Sequence, residues 1–384
     1  MGTDTGTLRT PPLGLYVHLP WCVRKCPYCD FNSHQLRADL PVERYLGALL
    51  EDLETDAGEV SGRPVRHIYF GGGTPSLFNA DQIARLLGGM GSRVELAPDA
   101  EITLEANPGT VERDSFAAYC EAGVNRVSLG AQSFDAGCLE RIGRIHGVGE
   151  IEVSVAALQD SGLDSFNLDL MYGLPGQSLG QALDDVQRAI KTGAPHISHY
   201  QLTLEPNTAF AARPPPLPDD ELAWDMIDQA TGLLESAGYR QYEISAWARP
   251  RQECRHNLNY WRFGDYLGIG AGAHGKLTNA ADGTIRRLAK SRGPERYMSG
   301  ERLAESHLLE PADRLFEFFL NALRLREPID AEAFTARTGL GWNRALERAR
   351  EALDEGLLVE ENGRLAHSEL GWRFVNDIQA RFLP

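Results

Sequence analysis

The sequence predicts an α/β fold: a partial, open (βα)6 barrel followed by a C-terminal helical, winged-helix-like domain. Two observations carry this. Between residues 13 and 202, short apolar runs alternate six times with amphipathic stretches, which implies a parallel sheet with helices outside it. Six units are too few for the closed eight-stranded barrel. Near residue 305 the alternation stops, and strongly apolar helical patterns lead into one hairpin. The expected organisation is therefore a flexible start over 1–12, a barrel core with its following segment over 13–305, and an end domain over 306–384.

In order, Leu15–Leu19 reads as the first strand, and the next pattern, Val42–Thr55, places Leu46, Leu49, Leu50 and Leu53 at helical spacing. Val65–Phe70 is a second strand running into Gly71-Gly72-Gly73-Thr74-Pro75, and Asp81–Leu87 is helical. The third strand, Glu101–Glu105, ends in Ala106-Asn107-Pro108-Gly109, which is turn chemistry. Helix Asp114–Glu121, strand Arg126–Leu129, helix Ile151–Gln159, strand Phe166–Leu170, helix Gln181–Lys191 and strand His196–Leu202 complete the six units. A stiff connector, Arg213–Pro218, precedes an acidic N-cap at Asp219-Asp220-Glu221. Helices follow over Ala312–Leu325, Ala331–Thr338 and Trp342–Glu355, and Leu357–Ala366 reads as a hairpin turning at Asn362-Gly363.

Composition narrows the function. The 384 residues are 42% hydrophobic and 24% charged, which suits a globular protein. A net charge of −16 disfavours a nucleic-acid partner, the end domain included. No apolar run approaches the ~18 residues that span a bilayer. Met1–Thr10 has neither a basic n-region nor an apolar h-region, so it does not read as a signal peptide. Six cysteines without even spacing fit a reducing cytoplasm, with Cys120, Cys138 and Cys254 as packing residues.

The other three cysteines carry the chemistry. Cys22, Cys26 and Cys29 fall at C-x₃-C-x₂-C spacing on a loop after the first strand, with Tyr28 directly before the third. Zinc sites ordinarily repeat a C-x₂-C pair at a second location, and none exists here. Three thiolates on a four-iron cubane leave one iron open to a small molecule. The ends of the strands hold polar candidates where a barrel places function: the glycine loop, Glu105, Gln132, Arg144 and Asp169. Together a carboxylate, an amide, a guanidinium and a second carboxylate satisfy hydroxyl, amino and carboxylate groups of one ligand.

The cysteine stretch resembles the cluster loop of radical S-adenosylmethionine (SAM) enzymes. Leu168-Asp169-Leu170-Met171-Tyr172-Gly173-Leu174-Pro175-Gly176-Gln177 is a long, specific match to one branch, which contains oxygen-independent coproporphyrinogen III oxidase and the related heme chaperones. The likeness runs over nearly the whole chain. It implies a 4Fe-4S cluster on Cys22, Cys26 and Cys29 with SAM on the open iron. It implies SAM contacts at Tyr16, Tyr28, Gly72, Gly73, Thr74, Glu105, Gln132, Arg144 and Asp169. Two features separate the subbranches. The oxidase has a further cysteine two residues after the third, where this chain has Phe31, and a longer N-terminal extension, where only 21 residues precede Cys22. Cys254-Arg255-His256-Asn257-Leu258-Asn259-Tyr260-Trp261 matches the HNxxYW motif of the chaperones, so His256, Tyr260 and Trp261 are the implied heme contacts, an imidazole and two flat faces. His274, in the glycine-rich run 268–275, is a second candidate. The implied function is a cytoplasmic heme chaperone that delivers heme to acceptor proteins, membrane-associated ones among them, without oxidase activity; the alternative is radical oxidative decarboxylation of coproporphyrinogen propionates. An electron donor and a homodimer belong to the same expectation.

Overall fold

The computed structural model describes residues 6–37, 39–109 and 115–384. Six parallel strands form as the alternation predicts: β1 (Leu13–Leu19), β2 (Val65–Gly72), β3 (Leu96–Ala106), β4 (Arg126–Gln132), β5 (Ser165–Tyr172) and β6 (His196–Gln201). Each connection carries a helix on the outside, over Val42–Ala57, Ala80–Gly91, Phe116–Glu121, Val148–Gln159 and Leu179–Lys191. The start expected for the third of these, Asp114, lies outside the described residues.

The sheet is wider than six strands. β7 (Arg240–Glu243) and β8 (Ala246–Ala248) add antiparallel strands beyond β6, and β9 (Asp265–Ile269) pairs parallel with β1. Beyond β9 come β10 (His274–Asn279), β11 (Thr284–Lys290) and β12 (Leu303–Leu308), all antiparallel. The order is β12-β11-β10-β9-β1-β2-β3-β4-β5-β6-β8-β7. The glycine-rich run is thus the end of β9 and its turn.

Burial explains the central strands: Leu15, Val17, Ile68, Phe70, Leu104, Val127, Leu129, Leu168, Leu170 and Ile197 pack in one core between sheet and helices. The opposite face is polar. Alternate residues of successive strands, Glu101/Thr103/Glu105, Arg126/Ser128, Asn167/Asp169 and His196/Ser198/Tyr200, share one side by the period of two, and all but Glu101 and Thr103 line one interior cavity.

The C-terminal unit has its own core. Helices Pro311–Ala322, Ala331–Thr338 and Trp342–Asp354 pack Leu315, Phe318, Phe319, Phe334 and Ala349 together with Phe382. The hairpin Leu358–Glu361/Arg364–His367 turns at Asn362 and Gly363, both at positive φ (55° and 75°), as a two-residue primed turn requires. Of the start set down as flexible, 1–5 lie outside the described residues. Residues 6–12 lie against this unit: Gly6 N and Arg9 N donate to Gly339 O and Ala336 O at 3.1 and 2.8 Å, and Leu8 is buried in the second core. Their apolar anchor outweighs the turn-like composition that made the segment read as free.

Candidate functional site

The cysteine loop is framed before it is loaded. Trp21–Cys22 pairs with His34–Gln35 as two short parallel strands, closing the loop between them. Gly73 N donates to Leu19 O at 2.9 Å and Thr74 N to Trp21 O at 2.8 Å. The glycines therefore serve close approach. A Cβ on Gly73 would fall into the Trp21 backbone, and Gly72 (φ 118°) would put one 2.6 Å from the His18 ring.

The three thiols converge on a cavity of about 310 Å³ also lined by Tyr28, Gly72, Gly73, Thr74, Glu105, Gln132, Arg144 and Asp169. Burial pushes the Cys22 and Cys29 thiols up, which is the cost a bound metal reverses by taking the thiolate. Arg144 Nη1 lies 3.6 Å from Cys26 Sγ, while its Nη2 donates to Asn107 Oδ1 (2.7 Å) and Gly130 O (2.6 Å). Its Nε is buried with no hydrogen-bond partner among the described residues. Gln132, at positive φ (67°), accepts from Tyr200 OH at 3.0 Å. Asp169 accepts from Ser128 Oγ (3.0 Å) and Asn167 Nδ2 (2.7 Å), and burial raises its carboxyl. Glu105 takes the Tyr69 hydroxyl and Gly72 N (3.2 Å); burial, with Asp169 nearby, pushes it up to about 7. Donor set and setting fit an iron–sulfur cluster with one open iron: three thiols, no fourth cysteine in the lining, and polar groups around the gap.

A second cavity, about 520 Å³, adjoins the first across shared walls at Phe31, Tyr69, Gly72 and Glu105. Tyr16 faces this one and stacks on Tyr69 at 5.9 Å; it shares the cavity with Gly72 and Glu105 but not with Tyr28, Gly73, Thr74, Gln132, Arg144 or Asp169. Tyr260 and Trp261 line it too, with Tyr266, His274, Lys276, Arg287 and Arg292. Tyr260 meets Tyr266 edge-on at 4.8 Å, and Arg324 stacks over the Trp261 ring at 4.3 Å.

His256, on the helix Arg255–Trp261, meets Tyr260 edge-on at 6.2 Å but does not line this cavity with it: it lies on the floor of the first one. It is 5% exposed, with Nδ1 2.9 Å from Cys254 Sγ and 3.3 Å from Glu101 Oε1, and its ring lies 4.1 Å from Tyr69. Helical geometry explains the parting from Trp261, which lies five residues on and so about 140° around the helix, whereas Tyr260, four residues on, stays on the same face as His256. Glu101 also accepts from the backbone amides of Arg255 and His256. Residues that sequence reasoning missed are Tyr69, Arg126, Ser128, Asn167 and Tyr200; for all but Tyr69 the signal was the strand period, which puts each two residues from a candidate or from another cavity residue.

A partial barrel with three cysteines on the loop after its first strand, aimed into a polar interior, defines a radical SAM protein. The radical SAM superfamily matches residues 16–189, and the HemN C-terminal domain matches 309–374. The heme chaperone HemW of Escherichia coli (strain K12) is 50% identical over 376 residues, covering 98% of this chain and 99% of that one. Heme chaperone HemW of Mycobacterium tuberculosis (strain H37Rv) is 36% identical, covering 97% and 95%. The chain belongs to this family, the HemW heme chaperones. In fold it is similar to the E. coli coproporphyrinogen III oxidase HemN, described as a radical SAM enzyme: TM-score 0.82 at 23% identity, covering 97% of this chain and 90% of that one. Among the described residues, no helix is long and apolar enough to cross a membrane.

Proposed function

We propose that this chain is a heme chaperone: it holds heme in the second cavity, beside a SAM-liganded 4Fe-4S cluster in the first, and passes it to acceptor proteins. One observation carries the reading: a cavity walled by Tyr16, Tyr260, Trp261 and Tyr266 shares its partition with the cysteine cavity. Flat aromatic walls suit a porphyrin face. Cys22, Cys26 and Cys29 would hold the cluster. Gly72, Gly73, Thr74, Glu105, Gln132, Arg144 and Asp169 would bind SAM, with Tyr28 beside its adenine. When bound, these groups supply one-electron chemistry; the chain's own residues bind, orient and exclude water. A cytoplasmic location, an electron donor, a homodimer and membrane-associated acceptors complete the proposal. The test is anaerobic heme titration of reconstituted protein. Tyr260→Ala/Trp261→Ala should weaken the Soret response about tenfold or more, since each ring face is worth roughly 1 kcal/mol beyond its area; an unchanged titration overturns the seat.

A second reading, coproporphyrinogen oxidation, is favoured by the completeness of the polar lining around the cysteines. Its test supplies reductant, SAM and coproporphyrinogen III and follows 5′-deoxyadenosine and protoporphyrinogen. Accumulation of both over many turnovers establishes it; a loaded cluster without porphyrinogen conversion leaves the chaperone.

A further inference from the structure

The second cavity holds charge and an imidazole that its aromatic walls do not account for. Three cations line it against a single carboxylate, Glu105. Two of the three are already paired. Lys276 Nζ lies 2.9 Å from Asp265 Oδ1, and Arg287 donates to Glu317 Oε2 at 2.9 and 2.5 Å and to Tyr266 OH at 2.9 Å. Arg292 is exposed, and its guanidinium makes no hydrogen bond or ion pair among the described residues. Its backbone carbonyl is fixed instead, accepting from Asn32 Nδ2 at 2.9 Å and lying 3.3 Å from His34 Nε2. The cation therefore has a held base and a free head.

Two histidines line the same cavity, His18 and His274. Both ring nitrogens of His18 are committed, Nδ1 to Tyr16 OH (2.8 Å) and Nε2 to Asn32 O (3.0 Å). His274, at the first position of β10, is exposed, and neither of its nitrogens has a hydrogen-bond partner among the described residues. Partial burial, with Arg287 and Arg292 near, lowers its proton affinity against the weaker pull of Glu305, which favours the neutral imidazole that ligates metals. His256, held by Cys254 and Glu101 elsewhere, has no such freedom.

We propose that His274 is the imidazole presented to the porphyrin metal in the second cavity and that Arg292 is the cation that pairs with the porphyrin carboxylates. The proposal rests on the reading of that cavity as the heme seat. A dianionic ligand would then have an uncompensated guanidinium to pair with in a strongly acidic protein, and its metal an uncommitted imidazole in the same aromatic-lined cavity.

The test titrates the full chain, cluster reconstituted, with ferric protoporphyrin IX and separately with its dimethyl ester. Circular dichroism and cluster absorbance verify that each variant is folded and loaded. His274→Ala should shift the Soret band and remove the imidazole signature from the heme electron paramagnetic resonance spectrum, and added imidazole should restore both. Arg292→Glu should bind the free acid about tenfold more weakly while leaving the ester unchanged, the loss of one charge-assisted pair. If Tyr260→Ala/Trp261→Ala weakens binding but His274→Ala and Arg292→Glu are silent, the seat stands and this assignment falls. If all three leave the titration unchanged, heme binds elsewhere and both fall. Equal loss for acid and ester in Arg292→Glu overturns the carboxylate role.

Discussion

At the scale of single residues, the site is a set of buried polar groups whose cost in the empty protein is the measure of what a ligand repairs. Glu105 is the clearest case. Its carboxyl rises from the ordinary 4.5 to about 7, chiefly by burial. The folded chain therefore keeps a proton that the unfolded chain releases between those values, so this group's contribution to stability falls as pH climbs from 4.5 to 7. Glu105→Gln keeps an acceptor for Tyr69 and removes the charge. It should raise the unfolding free energy of the ligand-free protein at pH 8, by on the order of 3 kcal/mol at most, and leave it unchanged at pH 4; an equal shift at both values would contradict the burial argument. His256 makes a different prediction, because its ring bridges Cys254 and Glu101 in a closed pocket. His256→Ala should cost about 1–3 kcal/mol in denaturant unfolding, the range for stranding buried polar partners. An undisturbed unfolding midpoint would mean that the ring's bonds contribute nothing. The sequence showed this histidine and its motif but not its direction, since a seven-residue helix sends His256 and Trp261 to different cavities.

Among elements, the cysteine loop is the joint between the two cavities. Asn32, three residues past Cys29, donates from one amide group to Ala271 O (2.8 Å) and Arg292 O (2.9 Å), while its carbonyl meets His18. The glycine at 272, at φ 86°, is where that amide packs, and a Cβ there would displace it. Asn32 therefore ties the cysteine loop to the wall that carries His274 and Arg292. Asn32→Ala should leave cluster absorbance intact yet make heme release from the loaded protein up to about thirtyfold faster, the effect of losing two hydrogen bonds at about 1 kcal/mol each. Release at the native rate would show that the loop and the wall move independently. The six parallel strands were legible because their apolar runs are continuous, β4 being buried at every position. The antiparallel extension was not. β7 is four largely polar residues, and β12 is exposed along its whole length as an edge strand, so neither offers the burial contrast that periodicity reads. The three-cysteine loop was plain from spacing alone, whereas the polar barrel face needed the strand register to be seen as one surface.

The whole molecule explains why the end domain is part of the site rather than an appendage. Helix Pro311–Ala322 supplies Glu317 to Arg287 (2.5 Å) and Asn321 to the lining of the second cavity. Backbone bonds Ile244 N to Arg324 O and Arg326 N to Tyr242 O, both 3.0 Å, tie the same unit to β7 and the turn after it. Phe263, from the loop after the Tyr260–Trp261 helix, packs edge-on against Phe318 at 5.9 Å inside the second core. The unit is in turn clipped from the other side by the chain start, where Leu8 fills that core beside Gly339. Anything that loosens the second core thus loosens one wall of the second cavity, the proposed heme seat, while the three cysteines line the first. Leu8→Ala removes a buried side chain and should lower stability of the C-terminal unit by about 2–3 kcal/mol, the lower part of the range for leucine truncation because the site is near the surface. Trp342, 5.6 Å from Phe334 in that unit, is a local reporter of the transition when its resonance is assigned among the six tryptophans by fluorine NMR of 5-fluorotryptophan-labelled protein. The expected outcome is a lower midpoint at Trp342, weaker heme binding and unaltered cluster content. A heme affinity that stays native while the second core melts earlier would separate the end domain from the seat, and with it the architecture in which one helix serves both.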